Sequence, residues 1–280
     1  MSAAGPLLAG GGVAVVFGLI AGSFLSVCVW RLPRRLSVVH PGSRCPACAH
    51  PLTAWENLPL VGALLLRGRC RACGERISWR YPALELGCAA AFWWSWRLHG
   101  QPAGSGVEFI RSAFFLACLL ALAATDLETQ VLPDEITLGG AAAGLVLSVW
   151  SGPGWLPALI AGAGGAGLLA LLGLSYQRWR GRAGVGWGDV KMVGFLGVFL
   201  GVGGLLVALF LASIAGAGVG VAQAVGVFAG RRRRGRTRAQ ARRATARYLA
   251  HAALPFGVFL AAGGAAAWRW GPWLWRAWLG

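Results

Sequence analysis

The sequence predicts an all-α fold: a polytopic membrane bundle of about eight transmembrane helices with a small cytoplasmic zinc-binding loop. Three observations predict it. Hydrophobic residues make up 57% of the chain and charged residues only 12%, a balance outside that of ordinary soluble domains. The apolar residues gather into long runs separated by short polar stretches. Many of the 44 glycines lie inside those runs, as in Gly162-Ala163-Gly164-Gly165-Ala166-Gly167. In lipid, small residues let helix backbones approach closely, whereas in water they would weaken a helix.

Taken in order, the apolar spans are 7–30, 82–97, 109–126, 136–150, 155–175, 189–201, 205–229 and 252–275. The sixth is too short to cross a bilayer unless it takes length from its neighbours. The last carries Trp268, Trp270, Trp273 and Trp275, a composition typical of an interfacial belt. The chain divides into a first transmembrane helix (1–30), a four-cysteine loop (31–81) and a bundle (82–280) whose basic run, 231–247, reads as a cytoplasmic loop.

The formal charge of +17 is unevenly distributed. Segments 31–80, 176–191 and 231–247 hold 22 of the 26 basic residues, leaving Arg97, Arg111, Arg269 and Arg276 elsewhere. With eight spans the three basic segments share one face, cytoplasmic by the positive-inside rule, and both termini lie outside. The run Arg231 to Arg247 therefore reads as a topology anchor touching anionic lipid headgroups rather than as a nucleic-acid surface. The first span lacks a basic region before it, and Arg31, Arg34 and Arg35 follow it; this is the pattern of a retained helix, not a cleaved signal.

Of seven cysteines, Cys28, Cys88 and Cys118 fall inside spans and read as packing residues. Cys45-Pro-Ala-Cys48 and Cys70-Arg-Ala-Cys73 form two knuckles, the spacing of a tetrahedral four-thiolate zinc site. A reducing compartment disfavours disulfides there, and no thioredoxin-like pattern supports a redox dithiol. Arg44, Arg69 and Arg71 are expected to help keep the thiolates deprotonated. A closed four-sulfur site folds a loop and has no open position for hydrolysis.

The chain has only three aspartates. Asp126 closes the apolar run 114–125, and Asp189 sits in Gly184-Val185-Gly186-Trp187-Gly188-Asp189-Val190-Lys191. Both fall at cytoplasmic ends of their spans. A carboxylate at a membrane edge is costly unless paired, hydrated or working. Two carboxylates brought together cannot both ionise, so one accepts a proton while the other donates, as hydrolysis by an activated water requires. The residues alone leave three readings open: proteolysis, proton relay or transport, and a structural role. Asp189 is placed to N-cap the helix after it, whereas the dipole at a helix C-terminus is unfavourable for Asp126. Glycines 184, 186 and 188 would let backbone or substrate approach Asp189.

Five fragments in order resemble the type IV prepilin peptidases, membrane aspartyl proteases of the GxGD type. They are Gly22-Ser23-Phe24-Leu25-Ser26-Val27 with Arg31-Leu32-Pro33; the two knuckles with Asn57-Leu58-Pro59-Leu60 between them and Tyr81-Pro82-x-x-Glu85 after them; Asp126 through Leu132-Pro133-Asp134 to Thr137; Gly184 to Lys191; and Pro255-Phe256-Gly257. Ser26 stands where the family usually has Asn, Gly62 where it often has Ser, and Val258 where a second proline is usual. Archaeal preflagellin peptidases resemble the second half but generally lack the cysteine loop.

The resemblance implies a multi-pass enzyme of the bacterial inner membrane. Such enzymes remove the basic leader of prepilins and type II secretion pseudopilins after a glycine, and many then methylate the new N-terminus with S-adenosylmethionine. It implies Asp126 and Asp189 as the catalytic pair, Cys45, Cys48, Cys70 and Cys73 as ligands of a structural Zn2+, and Gly186, Gly188, Lys191 and Asp134 as supporting residues. No soluble-type nucleotide loop marks a methyl-donor site. Asp134 is expected to cap the helix starting near Glu135, or else to touch the leader. Lys191 is expected to act on a catalytic carboxylate or on a lipid phosphate. Glu128 and Glu135 are expected to attract leader lysines. The other function classes are an ion- or proton-coupled transporter, which would spread charges near the midplane of several spans, and a non-enzymatic scaffold of a pilus or secretion system.

Overall fold

The computed structural model describes residues 4–100, 104–182, 184–235, 237–251 and 254–279. Residues 252–253, which open the predicted last span, and the side chains of Trp275 and Arg276 lie outside the described residues. Among these the regular structure is helical: α1 (Ala4–Arg31), a 3₁₀ turn (Leu32–Arg34), α2 (Val61–Leu65), α3 (Arg80–His99), α4 (Gly106–Thr129), α5 (Asp134–Leu147), α6 (Trp155–Arg180), α7 (Trp187–Arg233), α8 (Arg238–His251) and α9 (Phe256–Leu279).

Four described stretches have the length and composition to cross a membrane: Gly10–Arg34, Gly106–Thr129, Trp155–Arg180 and Trp187–Arg233. Predicted spans 82–97 and 136–150 fold as α3 and α5, and the described part of the last span folds as α9. The α5 helix has 14 residues, about 21 Å of rise against a hydrocarbon core of roughly 30 Å. Predicted spans six and seven form one helix, α7, broken at Gly201 with φ 67° and ψ −179°. The short sixth span thus gains its length by running on.

The buried Arg111, 5% exposed, explains how that break is tolerated. Its Nη2 donates to the carbonyls of Phe199 at 2.6 Å and Val198 at 3.3 Å, and its guanidinium lies over the Phe199 ring. These are groups the interrupted ladder would otherwise strand in an apolar core. By charge distribution Arg111 is one of four basic residues outside the three basic segments; in the fold it is an interior brace. Phe115, Phe195 and Phe199 stack beside it at the centre of the core.

Glycine sets the closest helix contacts. A Cβ at Gly18 or Gly22 of α1 would lie 2.7 Å or 2.5 Å from the Cα of Ala89 or Glu85 in α3. This small-xxx-small face holds the two helices that carry the cysteine loop.

The run 231–247 is not an open loop. The α7 helix continues to Arg233, and α8 starts at Arg238 on a capping box: Gln240 N–H donates to Thr237 Oγ1 and Thr237 N–H to Gln240 Oε1. The Thr237-x-x-Gln240 spacing carried that signal, but the arginine density masked it. Ala241 and Thr245 are buried, while Arg238, Arg242, Arg243 and Arg247 are exposed.

Candidate active site and metal centre

Asp126 lies in the last turn of α4 and is 5% exposed. Its Oδ2 accepts from the Val258 N–H at 3.1 Å, in the first turn of α9. A Cβ on Gly257 would stand 2.9 Å from the same oxygen and 3.1 Å from Leu132 Cδ2, so only glycine lets the start of α9 close over the carboxylate. The positive end of the α9 dipole, with the Val258 N–H, offsets the unfavourable end of α4.

Asp189 comes from the first turn of α7 and is half-buried. The structure corrects its expected role as an N-cap: the cap is Gly186, and Asp189 sits three residues on, with the Gly186 amide turned to its carboxylate. Leu132 joins the surroundings of Asp126 and Asp189, since it packs against both Gly188 and Gly257. The glycines of this motif admit protein neighbours: Gly184 faces the Tyr176 ring and Gly188 faces Leu132.

The expected cap at Asp134 is also corrected. The α5 helix is preceded by Pro133 and has no side-chain cap, and Asp134 Oδ1 instead accepts from Lys191 Nζ at 2.6 Å. Lys191 therefore ties α7 to α5. Glu128 pairs with Arg80 at the start of α3, and Glu135 is exposed.

In the loop, the four thiol sulfurs of Cys45, Cys48, Cys70 and Cys73 lie within 4.8 Å of one another, with Cys45–Cys73 at 3.8 Å and Cys48–Cys70 at 3.9 Å. Zn–S bonds of about 2.3 Å in a tetrahedron put sulfurs roughly 3.8 Å apart, so the cluster fits zinc. Each knuckle turns the same way: Ala49 N–H bonds Cys45 O and Gly74 N–H bonds Cys70 O, both residues at positive φ.

The Cys70 thiol is held down to about 6 by the Cys73 and Ala72 backbone N–H groups. The Glu75 amide would lower Cys73, yet the thiols of Cys48, Cys70 and Cys45, with burial, push it up to about 12. At Cys70, then, the groups that lower the thiol are backbone amides. Arg71 lies over Trp55, and Arg69 reaches the Gly74 carbonyl.

The other resemblance fragments find partners around the loop. Arg31 is buried and donates to Ser37 O and Gly42 O, clamping the loop entrance. Leu60, at φ 59°, gives its N–H to Glu85 Oε2 at 2.8 Å. Leu132 and Val258 fall in or beside fragments that carry the resemblance, but no role follows for them from the sequence, and nothing local marks Glu56.

Comparison with known proteins bears on the whole chain. Residues 16–98 match the family model of the bacterial peptidase A24 N-terminal domain, and residues 113–221 match that of the type IV leader peptidase family. The prepilin leader peptidase/N-methyltransferase of Burkholderia pseudomallei (strain 1026b) is 37% identical over 301 residues, covering 95% of this chain and 89% of its own. The proteins of that name from Pseudomonas putida and Bacillus subtilis (strain 168) are 37% and 35% identical, covering 75% and 74% of this chain and 79% and 80% of their own. No solved structure matches. The first match holds the four cysteines and the second both aspartates, in the order the fold brings them together: this chain belongs to the type IV leader peptidase family.

Proposed function

We propose that this protein is a membrane aspartyl endopeptidase that removes the basic leader of type IV prepilins or type II secretion pseudopilins after a glycine, and then N-methylates the new N-terminus from S-adenosylmethionine. Asp126 and Asp189 form the catalytic pair. The observation that carries the reading is that Gly257, which closes over Asp126, and Gly188, next to Asp189, pack against the same side chain, Leu132, although 63 residues separate the two aspartates in sequence. A water between the carboxylates loses a proton to the ionised one as its oxygen attacks the scissile carbonyl, and the protonated one gives its proton to the leaving amide nitrogen.

The site lies on the bilayer's cytoplasmic side in this reading, where a prepilin inserted with its basic leader inside presents its scissile bond. The compartment is the bacterial inner membrane. Cys45, Cys48, Cys70 and Cys73 hold one Zn2+, which folds the loop and takes no part in hydrolysis. Exposed arginines of α8 face anionic lipid headgroups. A transporter is less well supported, because the two carboxylates sit together at helix ends and not along a path through the bundle.

Cleavage of a prepilin with a glycine-containing basic leader by the solubilised protein, beside Asp126→Asn and Asp189→Asn, tests the pair. Each substitution is expected to remove cleavage while leaving helical content unchanged. Sustained cleavage by either variant would overturn the mechanism.

A further inference from the structure

Leu132 stands in the short link between α4 and α5, and both ends of that link are fixed. The α4 helix closes on Gln130, at φ 53°, whose N–H donates to the Asp126 carbonyl at 3.1 Å. At the other end Pro133 precedes α5, and its ring disfavours helical backbone at Leu132. The Leu132 side chain is 8% exposed and packs in the main apolar core.

Its two branches reach toward the two carboxylates. A Cβ at Gly188, the residue before Asp189, would lie 3.3 Å from Leu132 Cδ1. A Cβ at Gly257 would lie 3.1 Å from Leu132 Cδ2 and 2.9 Å from Asp126 Oδ2. A Cβ at Gly186 would lie 3.2 Å from Asp189 Oδ2. Three wall positions around the carboxylates thus carry no side chain. The space this leaves is already taken, by the carboxylates themselves and by the leucine.

A water activated by such a pair attacks a carbonyl carbon held at about 3–3.5 Å. The residue on the acyl side of the scissile bond has its Cα bonded to that carbon, so its own side chain must enter the same narrow space. Glycine brings nothing into it. Resting on the reading of Asp126 and Asp189 as a peptidase pair that cuts after a glycine, we infer that Leu132 is the specificity-determining residue of the cut. Its side chain fills the place that a side chain before the scissile bond would need. The packing that keeps residues 188 and 257 as glycine thereby selects glycine in the substrate as well. One methyl group in an apolar site changes kcat/KM by about 10- to 200-fold, enough to set the preference by itself.

The test uses the full chain in lipid nanodiscs and one prepilin made in two forms, with glycine or alanine before the cut. The quantity read is the ratio of kcat/KM for the two forms on one preparation, which does not depend on the folded fraction. Wild type is expected to prefer glycine by about tenfold or more. Leu132→Ala is expected to cut that preference about fivefold or more by speeding relative cleavage of the alanine form. Leu132→Val, a change that cores tolerate, is expected to move it the same way by about threefold. Should Leu132→Ala not fold, Leu132→Val decides alone. A preference unchanged in the folded variants would place the glycine requirement in the φ freedom that alanine lacks and overturn the assignment. Wild type that cuts both forms equally also overturns it, and in either case the peptidase reading stands. Wild type that cuts neither form overturns the peptidase reading, and the inference with it.

Discussion

The backbone N–H of Val258 donates to Oδ2 of Asp126 at 3.1 Å, across 132 residues of sequence. This one bond joins the end of α4 to the beginning of α9. It gives a carboxylate at the wrong end of one helix dipole the right end of another. The Pro255-Phe256-Gly257 fragment thereby has a physical purpose: proline precedes the helix, and glycine clears space for the oxygen.

Gly257→Ala tests that purpose. The added methyl carbon would stand 2.9 Å from Asp126 Oδ2 and must push the carboxylate aside. Misplacement of this order costs about a hundredfold in rate. Steady-state cleavage is expected to show the loss in kcat, with unchanged thermal stability; a fully active variant would separate α9 from the catalytic geometry.

Arg111→Met removes the brace at the α7 break. The Phe199 and Val198 carbonyls then lose their donor, and unfolding is expected to become easier by about 2 kcal/mol. Because Arg111 sits well away from the aspartates along α4, the folded fraction should cleave at the normal rate. Thermal melts and cleavage assays on the same preparation check both statements.

Zinc removal should act on the loop and spare the bundle. Structural zinc is worth roughly 10–16 kcal/mol in small peptides, more than a loop of this size gains from its own packing. Metal analysis is expected to find one zinc per chain, and none in Cys70→Ser. A strong chelator should open 31–80 to limited proteolysis while the circular dichroism of the helices persists.

Glu135 and Glu128 are expected to differ. Glu128 is engaged by Arg80, whereas Glu135 is exposed. Glu135→Lys should lower kcat/KM for a leader rich in lysine by roughly two- to fivefold at low salt, and less at high salt. A neutral leader should be unaffected. Equal effects on both leaders would show that Glu135 has no part in recognition.

Local composition and short spacings are enough to set the solvent this chain folds in, the helical character of its spans, the two cysteine knuckles and the two aspartates. Tertiary structure alone decided the partners. Lys191 lies two residues from Asp189 yet pairs with Asp134, 57 positions away. Gly186 and not Asp189 is the N-cap of α7, Arg111 is buried in the core, and the Cys70 thiol draws on backbone amides. Gly201 looked like one more small residue in an apolar run, and only its φ of 67° shows the break. Glu56 is one acidic residue in a loop until burial leaves one of its oxygens without a partner. Periodicity and spacing report what a segment prefers; which buried polar group answers which is settled by close packing, where each group must find its partner in what the other helices bring.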